Sequence, residues 1–369
     1  MADSTAHGRG RADQAQSFVF NEERACMSKF GFGLKFLTAL LLLANSIALT
    51  HGAAAAGAEQ PWQNWSNSLG AKHKLSGRIW SAQRGGFVEP DMMADDLAAG
   101  TYVLLGEIHD NADHHRLQAW VIDQLARRGR KPAIVMEMID VGQDKALKAY
   151  MGSDKPDAAG LGAALGWASS GWPAWELYQP IAAALFKAGL ALDWANDTRE
   201  MIRKIGREGF SALKPERIKA LKLDQNLPDA LEADLRSQIV AAHCNLLPAS
   251  AAGPMVNVQR YRDALFAERM MLAGQKGGAV LIAGGGHVRA DRAVPYYLKA
   301  QDGKAVIKTL ILAETIADRD KPEDYGPRTP DGTLAADYIW FTPRAERPDP
   351  CEGLKKHLNK KRETKAKKP

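Results

Sequence analysis

The sequence predicts an α/β protein: a mostly parallel sheet flanked by helices, with an inserted helical subdomain. Two observations support this prediction. Short runs such as 133–138 and 279–283 are apolar at consecutive positions, which is typical of strands buried on both faces. Between such runs, apolar residues recur every three or four positions, which is typical of amphipathic helices. This alternation indicates βαβ units, whose helices cover a parallel sheet.

The predicted elements follow one another along a single domain, residues 57–345. Residues 57–98 are expected to form an irregular lead-in with one strand pair. Helices are expected between the first two main strands and in two insertions, at about 143–188 and 198–275. The main strands are predicted at 102–105, 133–138, 190–195, 279–283, 305–312 and, near the edge of the sheet, 338–341.

Residues 1–56 are interpreted as an upstream extension followed by a secretory signal peptide. An apolar run at 36–44 follows Lys29 and Lys35 and precedes small residues at 53–56 that suit cleavage. A positive flank, a short apolar core and a small-residue exit together characterise such peptides. We therefore expect a periplasmic or secreted protein.

Two features qualify this interpretation. Asn45 and Ser46 break the apolar run early for a membrane span, although an uncleaved anchor helix is the alternative. Met27 stands where a signal peptide of ordinary length would begin, so either Met1 or Met27 is the start. Cys26 precedes the apolar core, so no lipobox is present.

The net charge of +6 is concentrated at the C-terminus. Residues 355–369 carry eight Lys or Arg and one acidic residue, which leaves the rest of the chain near neutral. Residues 346–369 are therefore predicted to be a disordered basic tail, with weak contact to an anionic membrane surface as an alternative role. The remaining chain has no basic patch interleaved with aromatics, so nucleic-acid binding is rejected.

Cys244 and Cys351 are the cysteines expected in the mature chain. An oxidising compartment would permit a disulfide between them. Because sequence says nothing about their distance, two free thiols are the equal alternative.

Polar side chains follow three predicted strands. Glu107 and His109 follow the first strand, Glu137 interrupts the second, and His287 follows three glycines after the fourth. Ligands bind beyond the carboxyl ends of strands in open parallel sheets, so these residues are expected to share one site. A buried Glu137 requires a cation, a histidine or a metal as partner.

Each of these residues also has a structural alternative. His109 could cap the next helix or bond within the core, and Glu137 could pair with an arginine. Of His114 and His115, one is expected to face the site and the other solvent. The spacing of His109 and His114 does not specify zinc. No Walker loop, complete dinucleotide fingerprint or nucleophile elbow occurs.

An aromatic segment, 172–180, contains Trp175 and Tyr178 on one helix face. They are either core packing or a flat surface for a planar apolar ligand such as a porphyrin. Tyr, His, Cys and Met can all ligate haem iron, so composition does not choose among them.

An ordered series of motifs resembles the ChaN-type haem-binding proteins of the Tiki-like superfamily. The resemblance covers about 200 residues, from Tyr102 to Leu298. Its motifs are Gly106-Glu107-x-His109-Asp110-Asn111 with His114-His115, Glu137-Met138, His243-Cys244, Gln259 with Arg262-Asp263, and Gly286-His287-Val288-Arg289 with Pro295 and Leu298.

The resemblance implies an exported protein of haem iron uptake whose dimers enclose haem. The haem-ligating residue of the family does not map securely, and Tyr178 and Tyr296 are the tyrosine candidates. Arg289 is the candidate partner of the propionates. The full set of expected haem-binding residues is Glu107, His109, His114, Tyr178, His287, Arg289 and Tyr296.

The superfamily also contains metal-dependent proteases and esterase-like enzymes, so a hydrolase is the alternative function. Glu107, His109, Glu137 and His287 would then hold a divalent metal, with His109 and His287 as ligands, or activate water. A hydrolase requires a polar pocket of converging carboxylates and histidines, whereas haem requires a wide apolar slot with one axial ligand.

Overall fold

The computed structural model describes residues 60–246, 248–349 and 351–356. Eight strands form one sheet, in which a strand pair at one edge is antiparallel and the other strands are parallel. The strands are β1 (Ile79–Ser81), β2 (Gly86–Val88), β3 (Tyr102–Glu107), β4 (Ala133–Asp140), β5 (Leu192–Asn196), β6 (Ala279–Gly284), β7 (Ile307–Glu314) and β8 (Tyr338–Thr342).

Helices cover both faces of the sheet, as the α/β prediction requires. The longer described helices are α1 (Pro90–Ala98), α2 (Ala112–Arg127), α3 (Asp144–Met151), α4 (Ala158–Ala164), α5 (Trp175–Ala188), α6 (Arg199–Glu208), α7 (Pro215–Ala220), α8 (Asp229–Ala242), α9 (Gly253–Ala273) and α10 (Val294–Gln301). The helices α3 to α5 and α6 to α9 are the two predicted insertions. The predicted fold class is therefore confirmed.

The strand order, β2-β1-β8-β7-β3-β6-β4-β5, places β6 between β3 and β4. Ile282 of β6 is in register with Leu105 of β3 on one side and with Met136 of β4 on the other. All three strands run in the same direction, so their carboxyl ends lie side by side. This topology brings together the polar residues that follow each strand.

Alternate residues of β3 pack on opposite faces of the sheet. Val103 and Leu105 belong to a core that α2 and α5 cover, whereas Tyr102 and Leu104 belong to a core that α9 and α10 cover. Burial on both faces explains why the strand is apolar at consecutive positions.

Two local predictions differ from the structure. The last strand, β8, was predicted near the edge, but β1 pairs with it in antiparallel fashion and β2 extends the sheet further. The lead-in contains the predicted strand pair and also α1, which begins at Pro90 and buries Met93, Ala94 and Leu97. Proline at the first helical position is favourable because its missing N–H has no partner there in any case.

The predicted extension and signal peptide, residues 1–56, lie outside the described residues. The described part of the predicted tail is attached to the domain: Arg347 binds Asp110 and Glu314, and Cys351 forms a disulfide with Cys244. Residues 351–356 are helical, and 357–369 are not described. No helix in the described ranges is both long and apolar enough to cross a membrane.

Candidate functional site

Glu107 and His109 form a tight pair at the carboxyl end of β3. The Nδ1 atom of His109 donates to Oε1 of Glu107 at 2.8 Å. The Glu107 side chain is fully buried, whereas that of His109 is 32% exposed. The imidazole therefore has one nitrogen held by a buried carboxylate and the other, Nε2, directed away from it.

His115, in the first turns of α2, is the second partner of Glu107. Its Nδ1 lies 3.1 Å from Oε2 of Glu107 and bonds to Oε1 of Gln118, while Nε2 donates to the backbone oxygen of His109. Burial opposes ionisation of Glu107, but the charge of His115 and the hydrogen bond from His109 outweigh it and lower the pKa of Glu107 well below its usual range. The ion pairs thus make Glu107 an anion.

The same interactions favour the protonated forms of both histidines. Burial lowers the pKa of His109, but the Glu107 hydrogen bond and the charge of Glu137 outweigh it, so the pKa is raised. Burial also opposes charge on His115, but the charge and hydrogen bond of Glu107 raise its pKa.

His114 faces away from this site and has a structural role. Its Nδ1 accepts a hydrogen bond from the backbone N–H of Ile108, and its Nε2 bonds to the hydroxyl of Thr342. Both His114 and His115 are buried, so the expectation that one would be solvated was wrong. Asn111 caps α2 by accepting hydrogen bonds from the backbone N–H groups of Asp113 and His114. This cap fixes the start of the helix, and with it the positions of the two histidines in its first turn.

Tyr178 lies beneath the site and not on its surface. It is fully buried, and its hydroxyl lies 3.3 Å both from Oε1 of Glu107 and from the backbone oxygen of His109. Its ring packs against His115 with centroids 4.2 Å apart. Burial and the charge of Glu107 raise the pKa of Tyr178 far above its usual range, so it supports the Glu107 pair as a neutral phenol.

Glu137 reaches the same place from β4. The register between β4 and β5 shifts between Met136 and Asp140, in the stretch that contains Glu137. Oε1 of Glu137 binds Arg262 of α9, and Oε2 accepts from the backbone N–H of Gly284 at 2.7 Å. Burial opposes this charge, but Arg262 outweighs it, so the pKa of Glu137 is lowered to about 2.

His287 and His109 lie near different oxygens of the Glu137 carboxylate. The Nε2 atom of His287 lies 3.6 Å from Oε1 of Glu137, and that of His109 lies 3.9 Å from Oε2. Nδ1 of His287 is held by Asp263 at 2.6 Å. Two histidines, each backed by a carboxylate, therefore converge on Glu137.

A cleft of about 620 Å³ opens beside Glu137. One part of its wall is apolar and aromatic, with Met138, Leu165, Trp172, Ile202 and Val258, and the other part carries three arginines, Arg199, Arg203 and Arg262. The Trp172 ring lies edge-on to His109 with centroids 4.9 Å apart, which places the exposed imidazole at the margin of this cleft.

The structure brings together Glu107, His109, Glu137 and His287, with Tyr178 below them. It does not bring Arg289 or Tyr296 to the cleft. Arg289 is buried in ion pairs with Asp234 and Asp291, and Tyr296 packs against Tyr297 and a separate apolar cluster.

The predicted divalent-metal site is not supported. No group of three or more His, Cys, Asp or Glu side chains within the described ranges is arranged to hold a metal ion. The carboxylate of Glu107 is instead directed at two histidines. That of Glu137 is directed at Arg262 and at the backbone N–H of Gly284.

Sequence reasoning missed three of the groups that build the site. The sequence predicted that one of His114 and His115 faces the site, but not which one. Arg262 and Asp263 were named only as part of the family resemblance. The requirement that a buried Glu137 have a cationic partner was the signal that could have pointed to Arg262.

The fold and the site define an α/β protein with a cleft at the carboxyl edge of its parallel strands. The chain belongs to the haem-binding uptake family of the Tiki superfamily, ChaN, whose model matches residues 93–298. Comparison with the curated proteins gave no match.

Among solved structures, the chain is similar to ChaN of Campylobacter jejuni, which is described with cofacially bound haem. The TM-score is 0.55 at 20% identity, covering 71% of this chain and 95% of that one, and this likeness shows the fold. Weaker similarities are to a mutant of the erythromycin esterase EreC in its open conformation (TM-score 0.39, 13% identity, 74% and 99% covered) and to the type III effector HopBA1 (TM-score 0.39, 10% identity, 69% and 92% covered).

Proposed function

We propose that the protein binds haem or a related iron porphyrin in the cleft beside Glu137, with His109 as the residue that holds the iron. The observation that carries the proposal is the pairing of His109 with buried Glu107. A histidine that ligates a metal usually donates its other ring N–H to a carboxylate or carbonyl, which orients the ring and raises its basicity. Nδ1 of His109 makes this bond, and Nε2, which lies 3.9 Å from Oε2 of Glu137 and so beyond hydrogen-bond distance, is the nitrogen that we assign to the ligand.

The residues present fit an iron porphyrin. When bound, haem would supply an iron that a protein side chain can ligate, and its macrocycle would require a wide apolar slot. The cleft offers Trp172, Leu165 and Ile202 as apolar walls. Tyr178 and Tyr296 were the tyrosine candidates, but the Tyr178 hydroxyl is buried against Glu107 and Tyr296 lies elsewhere.

The proposal includes export and a role in haem iron uptake. The signal-peptide pattern at 36–56 and the disulfide between Cys244 and Cys351 are both expected of a protein in an oxidising compartment outside the cytoplasm. We further propose that the protein forms a homodimer around the ligand, as its family implies, and that the basic residues of 355–369 make weak contact with an anionic membrane surface.

Titration of the purified protein with hemin tests the proposal. Wild-type protein is expected to give a saturable, stoichiometric shift of the Soret band, and His109→Ala is expected to abolish the shift without lowering the melting temperature greatly. His73→Ala is the matched control, because His73 pairs with Asp320 outside the cleft. No shift with wild-type protein, or an unchanged shift with His109→Ala, contradicts the assignment.

A second candidate function is metal-independent hydrolysis, which the orientation of His109 favours. Above its raised pKa, a histidine held by a buried carboxylate can accept a proton from water at Nε2 while the water oxygen bonds to the carbonyl carbon of an ester. The tetrahedral adduct then breaks its bond to the alcohol, which takes the proton back from the imidazole. Hydrolysis of a p-nitrophenyl ester that chelators do not inhibit and His109→Ala abolishes would favour this function over simple binding.

A further inference from the structure

Helix α6 presents two arginines, Arg199 and Arg203, to the cleft. Thr198 caps the helix, and its hydroxyl accepts from the backbone N–H of Met201. The two arginines are four residues apart, so they lie on one face of the helix, separated by about 6 Å along its axis. Ile202 lines the cleft beside them.

The guanidinium groups of these arginines have free donors. Neither forms a hydrogen bond or an ion pair with any other residue in the described part of the chain, whereas Arg262 binds Glu137 and Arg289 binds two aspartates. Gly171 leaves space for the Arg199 guanidinium, since a Cβ atom there would lie 2.8 Å from its Nη2.

The two aspartates that line the same cleft, Asp140 and Asp197, form no ion pair with these cations. Asp140 accepts from the backbone N–H of Gly142 at 2.8 Å. Asp197 accepts from the N–H of Thr198 and from the hydroxyl of Tyr261, both at 2.6 Å. The hydrogen bonds that these carboxylates accept thus come from the backbone and a tyrosine, and neither aspartate pairs with the α6 guanidiniums.

The position of Arg199 also favours an anion in the cleft. It is the first residue of α6, where the positive end of the helix dipole disfavours a cation. An anion bound there would be stabilised by the guanidinium and by the dipole together. Arginine binds carboxylates through two parallel hydrogen bonds, which makes a carboxylate a suitable partner.

We propose that Arg199 and Arg203 each bind one carboxylate arm of the ligand, so that the protein selects a porphyrin with two free carboxylates. The proposal rests on the proposed function, since it assigns the polar end of the same ligand. It replaces the expectation that Arg289 has this role, because Arg289 is already engaged by Asp234 and Asp291.

Comparison of hemin with hemin dimethyl ester tests the proposal. The dissociation constants of both ligands are measured for wild-type protein, for the double variant Arg199→Gln/Arg203→Gln and for Arg207→Gln. Arg207 is the matched control, because it is exposed on the same helix but does not line the cleft. Melting curves verify that each variant is folded.

The double variant is expected to bind hemin roughly 10- to 100-fold more weakly, as is typical for the loss of hydrogen bonds between charged groups, and to bind the dimethyl ester as wild-type protein does. Arg207→Gln should change neither constant. Equal weakening of both ligands, or an unchanged hemin constant in the double variant, overturns the carboxylate assignment while leaving haem binding intact. Absence of binding by wild-type protein to either ligand instead overturns the proposed function, and this assignment with it.

Discussion

Oε1 of Glu107 lies 2.8 Å from Nδ1 of His109, and its other oxygen lies 3.1 Å from Nδ1 of the buried His115. One carboxylate therefore holds two imidazoles, of which that of His109 is partly exposed and that of His115 is buried. Glu107 on β3, itself held by His115 on α2, therefore keeps the partly exposed ring of His109 in one orientation. Preorganisation of this kind is what a ligand-binding histidine requires.

Glu107→Gln should destabilise the protein more at pH 5.5 than at pH 9. The pKa values of His109 and His115 are raised in the folded state, so their contribution to stability is fully present below their unfolded pKa and is lost as the pH rises through the folded values. Glutamine removes the charge that raises them. Urea unfolding at both pH values measures the effect, and equal destabilisation at the two would contradict it.

His114→Asn should make the protein less sensitive to acid. Burial lowers the pKa of His114 to about 3 in the folded state. As the pH falls, the unfolded chain therefore takes up a proton at His114 before the folded protein does. The neutral ring stabilises the fold above about pH 6.5, and this contribution is lost at up to about 1.4 kcal/mol per pH unit as the pH falls towards 3.

Asparagine can accept from the N–H of Ile108, as His114 does, but does not take up a proton. The variant is therefore expected to lose less free energy of unfolding between pH 6.5 and pH 4 than wild-type protein. If the free energy of unfolding of the variant falls with pH as steeply as that of wild-type protein, a group other than His114 causes the acid sensitivity.

Tyr178→Phe should leave hemin binding intact. Its hydroxyl is buried and directed at Glu107 and His109, so the variant is expected to lose about 0.5–1.5 kcal/mol of stability and to retain the Soret shift. Tyr296→Phe is the control outside the site. Complete loss of the shift in Tyr178→Phe alone would identify this tyrosine, and not His109, as the ligand.

The strand ends were predictable from sequence because burial on both faces makes parallel strands apolar, and polar residues that interrupt or follow them stand out. The choice between His114 and His115 was not predictable, since it depends on how α2 is rotated against β3. Arg262 and Asp263 come from α9, far along the chain from Glu137, and no local pattern connects them. The pairing of Arg289 with Asp234 was not predictable either, because it is also a long-range contact.

Removal of the disulfide should lower stability substantially. Cys244 and Cys351 are 107 residues apart, so the bond constrains a long loop in the unfolded chain, and its loss typically costs about 2–5 kcal/mol. Cys244→Ser/Cys351→Ser is compared with wild-type protein, with and without reductant. The variant and the reduced wild type should unfold at the same lower urea concentration, and an unchanged midpoint would show that the bond contributes little.

Gly284→Ala should block the exposed face of His109 without disrupting the fold. Gly284 has φ −58° and ψ 144°, which alanine readily adopts, so the backbone itself is not strained by the change. The added Cβ would lie 3.1 Å from Nε2 of His109 and 3.6 Å from Oε2 of Glu137. The imidazole must then shift by a few tenths of an ångström, and the space beside its free nitrogen is filled.

We therefore expect Gly284→Ala to weaken hemin binding at least tenfold, and to slow any ester hydrolysis equally, because both functions use the same nitrogen. Gly286→Ala is the matched control, since its Cβ would meet only Nε2 of Gln238 at an ordinary 3.8 Å. Hemin titration of the two variants, with melting curves for each, measures the difference. Wild-type affinity in a folded Gly284→Ala protein would show that the ligand does not approach Nε2 of His109, and the iron would then have to be held elsewhere in the cleft.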